Sequence, residues 1–159
     1  MNLRSKFPTI PIKDVPASLP LNDAKNRRAV VLVVDDESVI ADTLSEILSR
    51  SGYTAITAYD GEEALETALL MPPEMLIADV QLPGMNGIEL AITVKRVFPD
   101  CKILLFSGQA STAELLASAD RAGHRFTLLT KPVHPTELLK RISEGLGSAK
   151  ANQFAGVTQ

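Results

Sequence analysis

The chain has 159 residues, 45% of them hydrophobic and 22% charged, with a formal net charge of −3; that composition suits one soluble domain of ordinary size with appendages and excludes global disorder. Its longest apolar run, residues 29–34, is far too short to cross a bilayer, and its one cysteine, Cys101, allows neither an internal disulfide nor a cysteine-based metal cluster. Residues 1–28 carry six basic and two acidic side chains, so the rest of the chain holds an excess of seven negative charges, which argues against DNA as the main partner. That basic head has prolines at 8, 11, 16 and 20 and no periodicity, and reads as a solvated, partly extended arm. It also lacks the continuous apolar stretch of a signal peptide, so the cytoplasm is the expected compartment.

From residue 29 onward apolar strands alternate with helical patterns. Strands are expected at 29–34, 53–58, 75–78, 102–106 and 126–129. After the first, Ile40, Leu44, Ile47 and Leu48 share a helical face, and Gly52 suits its C-terminal stop. Asp60 with Glu63 forms a capping pattern ahead of Ala64, Leu65, Ala68 and Leu69. Ile88, Ala91, Val94 and Phe98 mark a third helix ended by Pro99, and Ser111 with Glu114 introduces a fourth through Leu115, Leu116 and Ala119. Pro135 suits the first position of the last helix, which carries Leu138, Leu139, Ile142 and Leu146 and ends near Gly147. Five strands, each followed by a helix, predict an α/β fold: a doubly wound parallel sheet covered on both faces. Cys101, Tyr53 and Tyr59 are expected to be packing residues, His124 to be unremarkable, and His134 to precede or cap the last helix.

Functional groups in such a sheet collect at the carboxyl ends of its strands. Asp35 and Asp36 follow the first strand, Asp79 the third, Ser107 the fourth and Lys131 the fifth. Taken singly, each has an ordinary reading as a turn, cap or surface residue. Together they place three carboxylates, a hydroxyl and an ammonium in one pocket. Clustered carboxylates repel unless a hard cation sits among them, and Mg²⁺ takes such oxygen ligands. A carboxylate can also attack phosphorus to give an aspartyl phosphate. The transferred phosphoryl group then needs cations on its oxygens; Lys131 offers one, Ser107 a hydroxyl, and Gly108 an approach without a side chain. A cis Lys131-Pro132 peptide would aim the ammonium inward.

The pattern DD (35–36), D-x-x-L-P-x-M-x-G (79–87), SG (107–108) and KP (131–132) resembles the receiver domain of two-component response regulators over roughly residues 29–147. The resemblance implies the flavodoxin-like strand order 2-1-3-4-5. It implies that Asp79 is the phosphoacceptor, and that Asp36 and Asp79 bind Mg²⁺ directly. Asp35 would act mainly through a metal-bound water, and the main-chain carbonyl of Gln81 would complete the ligands. Ser107 and Lys131 would hold the phosphoryl oxygens, with Gln81 and Gly108 lining their site. The implied partners are a sensor histidine kinase or histidine phosphotransfer protein and a downstream effector protein, with no specific nucleic acid and no membrane insertion. The expected type is a stand-alone regulator, with arm 1–28, domain 29–147 and tail 148–159, promoting its own phosphorylation and dephosphorylation without turnover of a small substrate. An enzyme of the haloacid-dehalogenase kind uses similar groups but places its nucleophile in Asp-x-Asp after the first strand, which neither Asp35-Asp36 nor Asp79-Val80-Gln81 matches. A binding module that has abandoned phosphorylation is disfavoured by the presence of all five residues. One departure stands out: receivers usually carry an aromatic three residues before the lysine, where this chain has Leu128, with Phe126 two residues earlier.

Overall fold

The protein is described by a computed structural model covering residues 27–108 and 112–146. The chain builds β1 (Val30–Val34), α1 (Ser38–Arg50), β2 (Thr54–Ala58), α2 (Gly61–Leu70), β3 (Met75–Asp79), α3 (Gly87–Val97), β4 (Lys102–Ser107), α4 (Thr112–Arg121), β5 (Thr127–Thr130) and α5 (Pro135–Leu146). All strands run parallel in the order β2-β1-β3-β4-β5. The expected flavodoxin-like topology is therefore the one observed. Arm residues 1–26, the Ser111 capping residue and tail 148–159 lie outside the described residues.

Alternation along the central strands divides the core in two, because successive side chains point to opposite faces. Leu32, Val34, Leu76, Ala78 and Leu105 pack with Ala64 and Ala68 of α2, Ile88, Ala91 and Val94 of α3, and Ala119 of α4. Val31, Val33, Met75, Ile77, Leu104 and Phe106 pack on the other side with Ala41 and Leu48 of α1 and Leu138 and Ile142 of α5. Every residue of β3 is buried, whereas edge strand β5 buries only Leu129. A strand covered on both faces needs an unbroken apolar run, and β1 and β3 supply it.

Strand limits differ slightly from expectation. β3 and β4 extend to Asp79 and Ser107, and β5 runs from Thr127 to Thr130. The ladder continues past the apolar runs because the Val80 N–H donates to the Phe106 carbonyl (2.9 Å) and the Lys131 N–H to the Ser107 carbonyl (2.9 Å). Phe126 thus precedes β5; it packs against the α2–α3–α4 side and stacks on His124 with centroids 6.2 Å apart. The helix ends follow capping chemistry. Gly52, at φ +98°, turns the chain after α1, a conformation that side chains resist. Asp60 accepts from the Glu63 N–H (2.7 Å), but the Glu63 carboxylate reaches back to the Tyr59 N–H (3.1 Å) and not to that of Asp60. The full capping box, not anticipated, is Asn86 with Glu89 at the start of α3. His134 caps α5 as expected, its Nδ1 accepting from the Thr136 N–H at 3.2 Å.

Cys101 is buried beside β4, and that burial pushes its thiol up from 9.0 to about 11. The expected result is a thiol that a disulfide-exchange reagent titrates slowly at pH 8 and at once in denaturant. Stability from the neutral thiol is full below pH 9.0 and lost as the pH climbs to about 11. Fast native-state labelling would contradict the burial.

Candidate phosphoryl and metal site

Adjacent strands β1, β3, β4 and β5 end at one rim, and each delivers one or two polar residues there. β1 releases Asp35 and Asp36 into the turn before α1. The Asp35 N–H donates to the Ala58 carbonyl at 3.2 Å, which holds the residue at the β1–β2 edge. Its side chain is fully buried, and Oδ1 accepts from the Glu37 N–H at 2.9 Å. Asp36, one residue on, faces solvent. Asp79 ends β3 with 7% exposure, its Oδ1 accepting from the Gln81 N–H at 3.0 Å.

Lys131 joins these carboxylates. Its Nζ donates to Asp79 Oδ2 at 2.8 Å and to Asp35 Oδ2 at 3.1 Å. The Lys131-Pro132 peptide is cis. Carboxylate oxygens of Asp35, Asp36 and Asp79 lie within 4.8 Å of one another. Ser107, 3% exposed, ends β4 on the same rim, and its hydroxyl is hydrogen-bonded to that of Thr112. At Gly108 an added Cβ would rest 3.6 Å from the Lys131 Cβ. That is ordinary van der Waals contact with the lysine stem. All five expected site residues thus share one rim of the sheet.

The electrostatics call for more positive charge than the lysine brings. Burial raises the Asp35 carboxyl above the usual range, outweighing the Glu37 N–H and Lys131, which both favour its ionised form. For Lys131, burial works against the ammonium, but the hydrogen bonds to Asp79 and Asp35 prevail and its pKa is raised. The lysine stays charged. With all three acids ionised, one ammonium leaves two negative charges uncompensated within 4.8 Å. Such an oxygen-only cluster, buried on one side and open through Asp36, fits a hard divalent cation that keeps some of its waters.

Two features of the site went unread in the sequence. Gly87 was only part of a pattern, yet a Cβ there would lie 2.1 Å from the Asp79 carbonyl oxygen. Thr112 gave no signal, because a threonine at a helix start is ordinary. Leu128, the departure from the usual aromatic, pairs in register with Leu105 and is 38% exposed. An open cavity of about 520 Å³ lies at the opposite rim. It is bordered by Pro72, Phe98 and Leu146 and shares no residue with the acidic cluster.

Comparisons with known proteins agree with this fold. The family profile described as "Response regulator receiver domain" matches residues 31–143. The chain is 35% identical over 112 residues to the response regulator MprA of Mycobacterium ulcerans, covering 70% of this chain and 47% of that protein. It is 36% identical over 115 residues to the alkaline phosphatase synthesis transcriptional regulatory protein PhoP of Bacillus subtilis, covering 70% and 46%. It therefore spans about half the length of these curated relatives. Among solved structures, a CheY-like receiver domain protein from Methanospirillum hungatei superposes with TM-score 0.70 at 28% identity, covering 79% of this chain and 99% of that one. The chemotaxis protein CheY4 of Vibrio cholerae gives 0.67 at 32% identity, covering 74% and 98%.

Proposed function

Because the chain belongs to the response regulator receiver domain family, matched over residues 31–143, we propose that Asp79 accepts a phosphoryl group at this rim, with Mg²⁺. The observation that carries this reading is the Lys131 ammonium bridging Asp79 and Asp35 beside Asp36 and Ser107. The transfer forms a bond between an Asp79 carboxylate oxygen and phosphorus. It breaks the P–N bond of a phosphohistidine, or the P–O bond of a small acyl phosphate. The Gln81 N–H and Lys131 orient the Asp79 carboxylate from either side. Lys131 and the Ser107 hydroxyl donate to the arriving phosphoryl oxygens, and the absence of a side chain at Gly108 leaves that approach clear. Asp35, Asp36, Asp79 and the Gln81 carbonyl are the residues that would hold Mg²⁺, and the ion when bound offsets their repulsion and the charge on the phosphoryl oxygens.

A sensor histidine kinase or a histidine phosphotransfer protein is the donor in this reading, and a downstream effector protein the reader. The seven excess negative charges outside residues 1–28 favour protein contacts over a DNA surface. No helix among the described residues is long and apolar enough to cross a membrane, and a phosphorelay partner would place the chain in the cytoplasm. Residues 29–147 form the receiver unit, flanked by 1–28 and 148–159. Receivers are typically non-enzymatic, and the separation of Asp35-Asp36 from Asp79 suits an acceptor site better than an Asp-x-Asp phosphatase.

The reading is tested by incubating the protein with acetyl phosphate and following intact mass. One phosphoryl adduct should form in Mg²⁺ and at least about tenfold more slowly in a chelator, since the carboxylates then lack their counter-charge. Equal uptake with and without chelator would overturn it.

A further inference from the structure

Among the described residues only four polar side chains are buried: Asp35, Asp79, Ser107 and Thr112. The first three belong to the site already assigned. Thr112 does not, yet it is 1% exposed and its hydroxyl meets that of Ser107. Ser107 ends β4 and Thr112 opens α4, so this hydrogen bond ties the site to the first turn of that helix.

We propose that Thr112 is a positioning residue: it sets the Ser107 hydroxyl for the phosphoryl group and passes the phosphorylation state to α4. The inference rests on Asp79 being the acceptor, as argued above. A hydroxyl has one hydrogen to donate and two lone pairs to accept with. Once Ser107 commits its hydrogen to a phosphoryl oxygen, it can only accept from Thr112. The pair must therefore run Thr112 to Ser107 to phosphoryl, and hydrogen bonds aligned head to tail strengthen one another. Before phosphorylation either hydroxyl can be the donor. Phosphorylation removes that freedom, which stiffens the start of α4 from inside the core.

Leu128 stands where receivers usually carry an aromatic, is 38% exposed and has no polar tip. Burial of the hydroxyl matters as well. A buried hydroxyl that loses a hydrogen bond costs free energy, so removing the Thr112 hydroxyl is felt at Ser107. Thr112→Val removes the hydroxyl while keeping the branched shape; Thr112→Ser keeps the hydroxyl.

The test is Mg²⁺-dependent phosphorylation by acetyl phosphate, measured for wild type, Thr112→Val, Thr112→Ser, Ser107→Ala and the Ser107→Ala/Thr112→Val double variant. Thr112→Val should slow uptake about tenfold and Thr112→Ser by no more than about twofold. In the Ser107→Ala background the valine should change the rate by less than about twofold, because the pair acts as a unit. With beryllofluoride and Mg²⁺ as the phosphoryl mimic, amide signals of residues 112–116 should move in wild type and stay put in Thr112→Val, while those beside Asp79 move in both. Should the valine variant fail to fold, Thr112→Ala carries the same comparison. A wild-type rate in Thr112→Val, or an equal loss with and without Ser107, overturns the positioning role alone. If the wild-type protein takes up no phosphoryl group, or keeps it in Asp79→Asn, the acceptor reading fails and takes this inference with it.

Discussion

Gly87→Ala should destabilise the protein by about 3 kcal/mol, at the upper end of what overpacking costs, and lower its melting temperature by about 10 °C. The new Cβ would lie 2.1 Å from the Asp79 carbonyl oxygen, 2.8 Å from its carbonyl carbon and 2.9 Å from the Val80 Cα. All three are backbone atoms, which cannot rotate aside as a side chain would. Relief comes only by moving the start of α3 or the end of β3. The first breaks the hydrogen bond from the Gly87 N–H to the Val80 carbonyl (2.9 Å) and disturbs the adjoining Asn86–Glu89 box. The second displaces Asp79 itself. Phosphoryl uptake should therefore fall together with stability. Gly52→Ala is the control. It strains a left-handed residue at φ +98° but meets nothing within 4 Å, so it should cost about 1 kcal/mol and leave uptake unchanged. Thermal melts of the two variants check this, and equal losses would show that the contact at Gly87 does not constrain β3.

How much of this was legible in the sequence depended on whether the cause was local. Residues 29–34 and 75–78 read as strands because burial on both faces demands an unbroken apolar run, and β1 and β3 form there. The site was legible for the complementary reason: Asp35, Asp79, Ser107 and Lys131 interrupt or follow such runs, and parallel topology brings those interruptions to one rim. Polar ends of strands were less visible. Asp79 and Ser107 belong to β3 and β4 only because of ladder hydrogen bonds with the neighbouring strand, which residue type does not announce. Phe126 was placed on the last strand but precedes it and stacks on His124. Glu63 stands at the capping-box spacing, yet it bonds the Tyr59 N–H one residue beyond Asp60. Gly87 and Thr112 were illegible for a further reason. Their importance lies in contacts with Asp79 and Ser107, made across a turn and a loop, and a Gly or Thr at a helix start carries no such mark.

Asp79 is the proposed seat of the phosphoryl group, and the three carboxylates differ enough to make that choice specific. Asp35 is fully buried and held at both oxygens, by the Glu37 N–H and by Lys131, so a donor cannot reach it. Asp36 is open to solvent but lies outside the Lys131 hydrogen bonds. Asp79 combines 7% exposure with the shorter lysine contact, 2.8 Å, and so can be approached while its developing charge is offset. Asp79→Asn removes the nucleophile and should abolish the adduct, a larger loss than any positioning residue can cause. Borohydride reduction of the phosphorylated protein converts an aspartyl phosphate to homoserine, which peptide mass spectrometry locates. Homoserine is expected at position 79, at least about tenfold less of it at equal times when Mg²⁺ is chelated, and none in Asp79→Asn; homoserine at position 35 or 36, or an adduct that persists in Asp79→Asn, would place the phosphoryl group elsewhere.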